Sequence, residues 1–268
     1  MRFEDYLEEL DVRAGQHVLI HGAYRKLRTA FPGLTIEGMI ETLQRILGSG
    51  GSIILPAFTY CFKRSVGAYE VFDPRHSVSK TGMISEIFRS LPGVVRTSSA
   101  THSFVLRGAI TRDIQESNSP ASPLGEGSVL DWLVRQEDAC ALMLGTDFTS
   151  FSLGHYLEVA APVPWANVSP WDHLHVLKTG VSVAGEQALR EIPGCAKSFV
   201  SFEKWLTAEG LIRYHQTGAF RSCCIPVKVI YERGLEYFRR YPLQLLCAPS
   251  VCPACDGRWA WYQSHHRA

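Results

Sequence analysis

The sequence predicts an α/β fold: a single large three-layer α/β/α domain with a mostly parallel central sheet and a loop- and β-rich insertion near 162–198. Two observations carry that prediction. From residue 17 to 145, apolar runs of strand length alternate with amphipathic stretches of helical period. The runs are nearly continuous in apolar residues, the pattern of strands covered by helices on both faces. A third observation sets the scale: 268 residues, 46% hydrophobic and 20% charged, supply the core of one large domain.

The opening MRFEDYLEELDV is acidic and amphipathic and has no apolar signal-peptide core. HVLIHG (17–22) reads as a short buried strand, and TIEGMIETLQRIL (35–47) as an amphipathic helix closed by Gly48. GSIILP (51–56) is a second buried strand ended by Pro56. The glycines of GSGG (48–51) serve the helix-to-strand turn; no lysine follows to make them a phosphate loop. After an aromatic loop (Phe58, Tyr60, Phe62, Tyr69, Phe72), KTGMISEIFRSL (80–91) gives another helix, with Lys80 and Arg89 on its solvated face. SFVLRG (103–108) and ACALMLG (139–145) are further strands, with GSVLDWLVRQ (127–136) helical between them. The insertion holds Pro162, Pro164, Pro170, Trp165 and Trp171 and is expected to shape a pocket rim; His173 and His175 read there as one half-exposed strand face. FEKWLTAEG (202–210) is a helix, VKVIYER (227–233) a strand and GLEYFRRYPLQLL (234–246) a closing helix. The domain thus spans 1–246, and 247–268 is a Cys-rich tail expected to be loosely ordered.

The net charge of +1 provides no basic field for nucleic acid, and it suits an anionic or neutral substrate at least as well as a polycation. No apolar run approaches the ~20 residues of a membrane span, so a cytoplasmic protein without membrane insertion is expected. Its eight cysteines are then expected to be reduced. Cys247, Cys252 and Cys255 have metal-like spacing, and Cys224 or His265 could complete a set. A closed zinc site normally shows two clear ligand pairs, and only one is visible, so no metal is expected.

In parallel sheets, ligands gather at the carboxyl ends of the strands, here His21, Pro56 and the 145–155 loop. That loop leads into His155 and Glu158, three residues apart at a helix start and therefore on one face. A carboxylate beside a histidine fixes its tautomer and raises its basicity, as a general base requires.

Four blocks in order then resemble the aminoglycoside 3-N-acetyltransferase family, non-GNAT antibiotic acetyltransferases. They are HVLIHGAYRKL, LGSGGSIILPAFTY, FDPRHSVSKTGMISEIFRSLPGVVRTSSATHSFVLRGA, and the stretch from GEGSVL through ALMLG to His155-x-x-Glu158. The resemblance implies an acetyl-CoA-dependent (or other acyl-CoA-dependent) transfer to a primary amine of an amino sugar. His155 would take the proton from the attacking amine and Glu158 would orient it, which matters because an ammonium near pKa ~9–10 has no lone pair for the thioester. By the same resemblance, His21, Gly22, Ala23, Ser79, Gly82 and Ser103 would face the cofactor, and Ser99 and His102 the acceptor. A homodimer is one option for the assembly.

The chain also departs from the family pattern. Gly22-Ala23 stands where the family has Ser-Ser, Ser99-Ala100 where it has His-Pro, and Val78 and Val129 replace prolines. These changes leave the His/Glu pair intact while altering the acceptor and cofactor surroundings. They point to a nucleotide-linked or polysaccharide-pathway amino sugar as acceptor. The alternatives are a true aminoglycoside 3-N-acetyltransferase and a catalytically degenerate member that binds CoA or a partner.

Overall fold

A computed structural model describes residues 1–114 and 119–266. The chain runs through α1 (Phe3–Glu9), β1 (His17–Gly22), α2 (Tyr24–Ala30), α3 (Ile36–Leu47), β2 (Ser52–Pro56), β3 (Phe62–Arg64) and α4 (Met83–Arg89). It continues through β4 (Val95–Arg96), β5 (Phe104–Gly108), α5 (Val129–Val134), β6 (Ala139–Leu144) and α6 (Leu153–Ala160). The last third comprises β7 (Val176–Ser182), β8 (Gly185–Ala188), α7 (Val200–Ala208), β9 (His215–Thr217), β10 (Phe220–Pro226), α8 (Val227–Arg240) and α9 (Pro253–His265).

The main sheet has seven strands in the order β4-β5-β2-β1-β6-β10-β9. Its centre, β2-β1-β6, is parallel, as the apolar runs predict, and antiparallel strands extend it on both sides. Successive side chains of a strand point to opposite faces. In β1, Val18 and Ile20 accordingly join an apolar cluster with α1 and α3, while Leu19 joins a second one with α5, α6 and α8. This division is the three-layer architecture. Each fully buried Leu, Ile or Phe in these clusters contributes roughly 1.5–3 kcal/mol.

Local signals set the helix ends. The Thr35 hydroxyl accepts from the Gly38 N–H at 3.0 Å to start α3, and the Ser128 hydroxyl accepts from the Asp131 N–H at 3.2 Å to start α5. Such caps contribute ~1 kcal/mol each. From β1 the chain moves to β2 on one side, and β6 later pairs on the other. The carboxyl end of β1 is therefore the topological switch point, where α/β sheets open a crevice.

The insertion is β-rich as expected: β7 and β8 form a hairpin joined by β3 in a separate three-stranded sheet. Three expectations need correction. VKVIYER is the first half of α8, not a strand; Val227, Ile230, Gly234, Tyr237 and Phe238 are buried at helical spacing, and the strand is the preceding β10. His173 and His175 are not a strand face, because Asp172–Leu174 is a 3₁₀ turn and His175 follows at φ 57°. Finally, the described part of the tail is ordered. Helix α9 buries Ala254, Cys255 and Arg258, and Cys247, Cys252, Ala254 and Cys255 belong to the larger core cluster. No described helix is long and apolar enough to cross a membrane.

Candidate active site

The loop after β6 is fastened before it delivers its histidine. Asp147 Oδ1 accepts from the Thr149 N–H at 3.0 Å, and the Glu203 carboxylate accepts from the Phe148 N–H at 3.0 Å. Helix α6 then starts against Phe199, in the turn before α7, and against α8, with every residue from Leu153 to Glu158 buried. Gly154 permits this approach, since a Cβ there would overlap the Phe199 ring.

His155 and Glu158 come together as their spacing predicts. His155 Nδ1 lies 2.9 Å from Glu158 Oε2, and each residue is only 8% exposed. The other carboxylate oxygen, Oε1, is 3.4 Å from Nη1 of Arg258 on α9. The Phe199 ring meets the imidazole edge-on, with centroids 5.1 Å apart. Burial alone pushes the Glu158 carboxyl up, but the His155 hydrogen bond and the Arg258 guanidinium outweigh it. Glu158 is thereby held below the usual carboxylate range and stays anionic beside the ring. With Nδ1 engaged by a carboxylate, Nε2 is the nitrogen left to take a proton from a substrate.

Three cavities meet at His155. One, of about 240 Å³, lies at the carboxyl ends of β1 and β2 and is lined by His21, Gly22, Pro56, Thr81, Ser85 and Ser152, among others. Another, of about 430 Å³, is walled by Phe58, Tyr60, Phe62, His102 and Trp171, with Arg64 and Lys197 also on its wall. The third, of about 300 Å³, is lined by Glu126, Glu158, Glu191 and Arg258. Phe58 and Tyr60 belong to both the strand-end and the aromatic cavity. Tyr60 holds φ 54°, an uncommon backbone conformation for an aromatic residue. Its ring packs on His102 at 5.5 Å.

Of the residues that the resemblance assigned to ligands, His21 and Gly22 line the strand-end cavity and His102 the aromatic one. Burial lowers His21 to about 3 and holds His102 well below the usual histidine range, with the charge of His155 adding to the latter. Both are therefore neutral rings. His21 Nε2 lies 3.3 Å from the Ser152 hydroxyl, and His102 Nδ1 lies 2.9 Å from that of Thr101. At Gly22 a Cβ would stand 2.8 Å from Ile84 Cδ1, so the missing serine is matched by an isoleucine that fills its space.

Ala23, Ser79, Gly82, Ser99 and Ser103 are not on the walls of these cavities. Ala23 starts α2 and donates its N–H to Leu144 O at 2.9 Å. Gly82 caps α4 at φ 117°. The Ser79 hydroxyl pairs with Thr81 Oγ1 at 2.8 Å, and Ser99 Oγ accepts the His102 N–H at 3.1 Å. Ser103 Oγ donates to Ala57 O at 2.7 Å and accepts from Arg96 Nε at 3.1 Å. These residues therefore shape the walls from behind. Thr81, Ser85 and Ser152 expose the hydroxyl-bearing wall instead, close in sequence to where the motifs pointed. Arg258 carried no local signal at all, because it lies one hundred positions from the carboxylate it pairs with.

Residues 19–239 match the sequence profile of the aminoglycoside 3-N-acetyltransferase family. The chain is similar to aminoglycoside N(3)-acetyltransferase IV of Salmonella sp., with 27% identity over 251 residues, covering 91% of this chain and 88% of that protein. Its fold is similar to that of aminoglycoside acetyltransferase AAC(3)-IVa, solved as a mutant in complex with a gentamicin. The TM-score is 0.76 at 24% identity, covering 94% of this chain and 93% of that one. AAC-IIIb, solved with CoASH, gives a TM-score of 0.70 at 21% identity, covering 88% of this chain and 94% of that one. With the profile spanning most of its length, the chain belongs to the aminoglycoside 3-N-acetyltransferase family.

Proposed function

We propose that the protein transfers the acetyl group of acetyl-CoA to the 3-amine of an aminoglycoside, with His155 as general base and Glu158 as the residue that positions it. The observation behind this reading is a buried imidazole, oriented by a carboxylate, where the strand-end and aromatic cavities join a third. The strand-end cavity suits a slender pantetheine arm, with the Ser85 hydroxyl on its wall to meet an amide. The aromatic cavity suits the faces of sugar rings. In the reaction, His155 Nε2 takes a proton as the amine nitrogen bonds to the thioester carbonyl carbon. The C–S bond breaks as the tetrahedral intermediate collapses, and the thiol leaves with that proton. Glu158 stabilises the imidazolium formed in between.

The gentamicin complex and the family favour an aminoglycoside acceptor over the nucleotide-linked or polysaccharide-pathway sugar expected from the altered motifs. One observation supports a second reading. Arg64 and Lys197 stand on the wall of the aromatic cavity with no carboxylate there among the described residues, whereas Glu126 and Glu191 line the third cavity at His155, so an acceptor held wholly in the aromatic cavity would be an amino sugar with few cations. Thiol release from acetyl-CoA with gentamicin, sisomicin and monocationic amino sugars separates the two. The first reading expects turnover with the aminoglycosides. Turnover confined to the monocationic sugars would replace it with the second.

A further inference from the structure

Four cysteines converge beside the active site, with Cys195 on the edge of the aromatic cavity. Cys195 lies in the loop after β8, Cys247 follows α8, and Cys252 and Cys255 begin α9 as Cys-Pro-Ala-Cys. Their sulfurs all lie within 4.8 Å of one another, and all four residues are buried. Cys195 Sγ and Cys247 Sγ are 3.7 Å apart. Four thiolates around a tetrahedral zinc, each at ~2.3 Å, would be separated by ~3.8 Å. Three separate chain segments thus bring soft donors to one point at the spacing a tetrahedral ion requires. The sequence alone shows only the Cys252/Cys255 pair. The second pair, Cys195 with Cys247, has partners fifty-two residues apart. Neither candidate considered for the fourth position takes part: Cys224 is on β10, and His265 is exposed and stacked on Trp261.

We propose that Cys195, Cys247, Cys252 and Cys255 form a closed structural zinc site that fastens α9 to the domain. Two features fit an ion better than a cluster of packed thiols. The Lys197 N–H points at Cys195 Sγ at 3.4 Å, a bond that stabilises a thiolate. Cys252 and Cys255 sit at the N-terminus of a thirteen-residue helix, whose dipole favours negative charge. The helix is fully buried only at Ala254, Cys255 and Arg258, with Trp259, Trp261 and Tyr262 partly buried against the core, so a metal at its first turn would add to a partial packing contact. Arg258 follows Cys255 by three positions, so the metal anchors the face that places the guanidinium against Glu158. The metal assignment is independent of the acceptor; its link to catalysis rests on the proposed role of Glu158.

The full chain, expressed with zinc in the medium and desalted, is assayed by elemental analysis and by thiol titration after denaturation with chelator. About one zinc per chain is expected, with all eight cysteines titrating as thiols. Titration of the native protein with a mercurial should release the zinc to a colorimetric chelator. A Cys252→Ser/Cys255→Ser double variant should lose the metal, while Cys224→Ser should keep it. If the double variant does not fold, chelation of the wild-type protein still decides the matter: the segment after residue 246 should become protease-sensitive and regain protection with zinc alone. Absence of zinc, iron in its place, or fewer than eight titratable thiols through disulfide formation would each overturn the assignment.

Discussion

Replacing Glu158 with glutamine tests the proposed proton-handling pair at almost constant volume. The carboxylate lies 2.9 Å from His155 Nδ1 and is buried, so the ring becomes an imidazolium next to a fixed negative charge. Two unit charges ~4 Å apart at an effective dielectric constant of ~20 attract by about 4 kcal/mol. A glutamine retains a neutral hydrogen bond, which has roughly half the strength of the charge-assisted one. About 2–4 kcal/mol of transition-state stabilisation is therefore lost, a fall of roughly 30- to 1000-fold in kcat. The acyl donor occupies the strand-end cavity in this account, so its KM should change little. Steady-state thiol release with gentamicin at saturating acetyl-CoA measures the effect. A Glu158→Gln enzyme of known correct fold within about 3-fold of wild-type kcat would refute the reasoning.

Two further outcomes follow from neighbouring groups. At Gly194 a Cβ would overlap the Arg258 guanidinium, so Gly194→Ala should displace it from Glu158 without removing its charge. The expected result is a kcat fall of roughly 3- to 30-fold, shared by Arg258→Gln, as hydrogen bonds to charged groups are worth ~1.5–3 kcal/mol and part of this is transmitted; wild-type kcat in both variants would exclude Arg258 from positioning. His21 is lowered to about 3 by burial, so the folded state holds it neutral. Its contribution to stability is complete above the unfolded pKa of ~6.5 and is lost as pH falls towards the folded value. At pH 5 this loss is about 2 kcal/mol, or a drop of roughly 4–8 °C in Tm for a chain of this size. His21→Asn should flatten the pH dependence between pH 7 and 5 in thermal melts, and a curve parallel to wild type would contradict the assignment.

Much of this protein is legible in its sequence wherever the signal is local. β1 and α3 are found at nearly their observed bounds because one is an unbroken apolar run and the other has a cap, a helical stripe and a terminal glycine. The His155/Glu158 pair is legible because three positions on a helix make neighbours. Readings fail where local patterns mislead or partners are distant. VKVIYER alternates like a strand, yet its continuation to Phe238 buries one helical face, a period visible only over the full length. Helix α9 shows no clean apolar stripe because its inward face mixes Ala254, Cys255, Trp259 and Tyr262 with the buried Arg258. The resemblance places Ser79, Ser99 and Ser103 in the right neighbourhood, but their hydroxyls turn to backbone and side-chain partners behind the cavity walls. Motif position identifies the wall; only the fold shows which side chains face inward.

The central claim is that His155 removes the proton from the acceptor amine. It is tested most directly by His155→Ala, assayed for thiol release from acetyl-CoA with gentamicin across pH 6–9, alongside calorimetric binding of CoA. Loss of the general base should lower kcat by ~10²- to 10⁴-fold, leave CoA binding in place, and restore part of the rate at high pH, where the amine deprotonates unaided. An alanine enzyme that turns over at the wild-type rate near pH 7 would contradict the account.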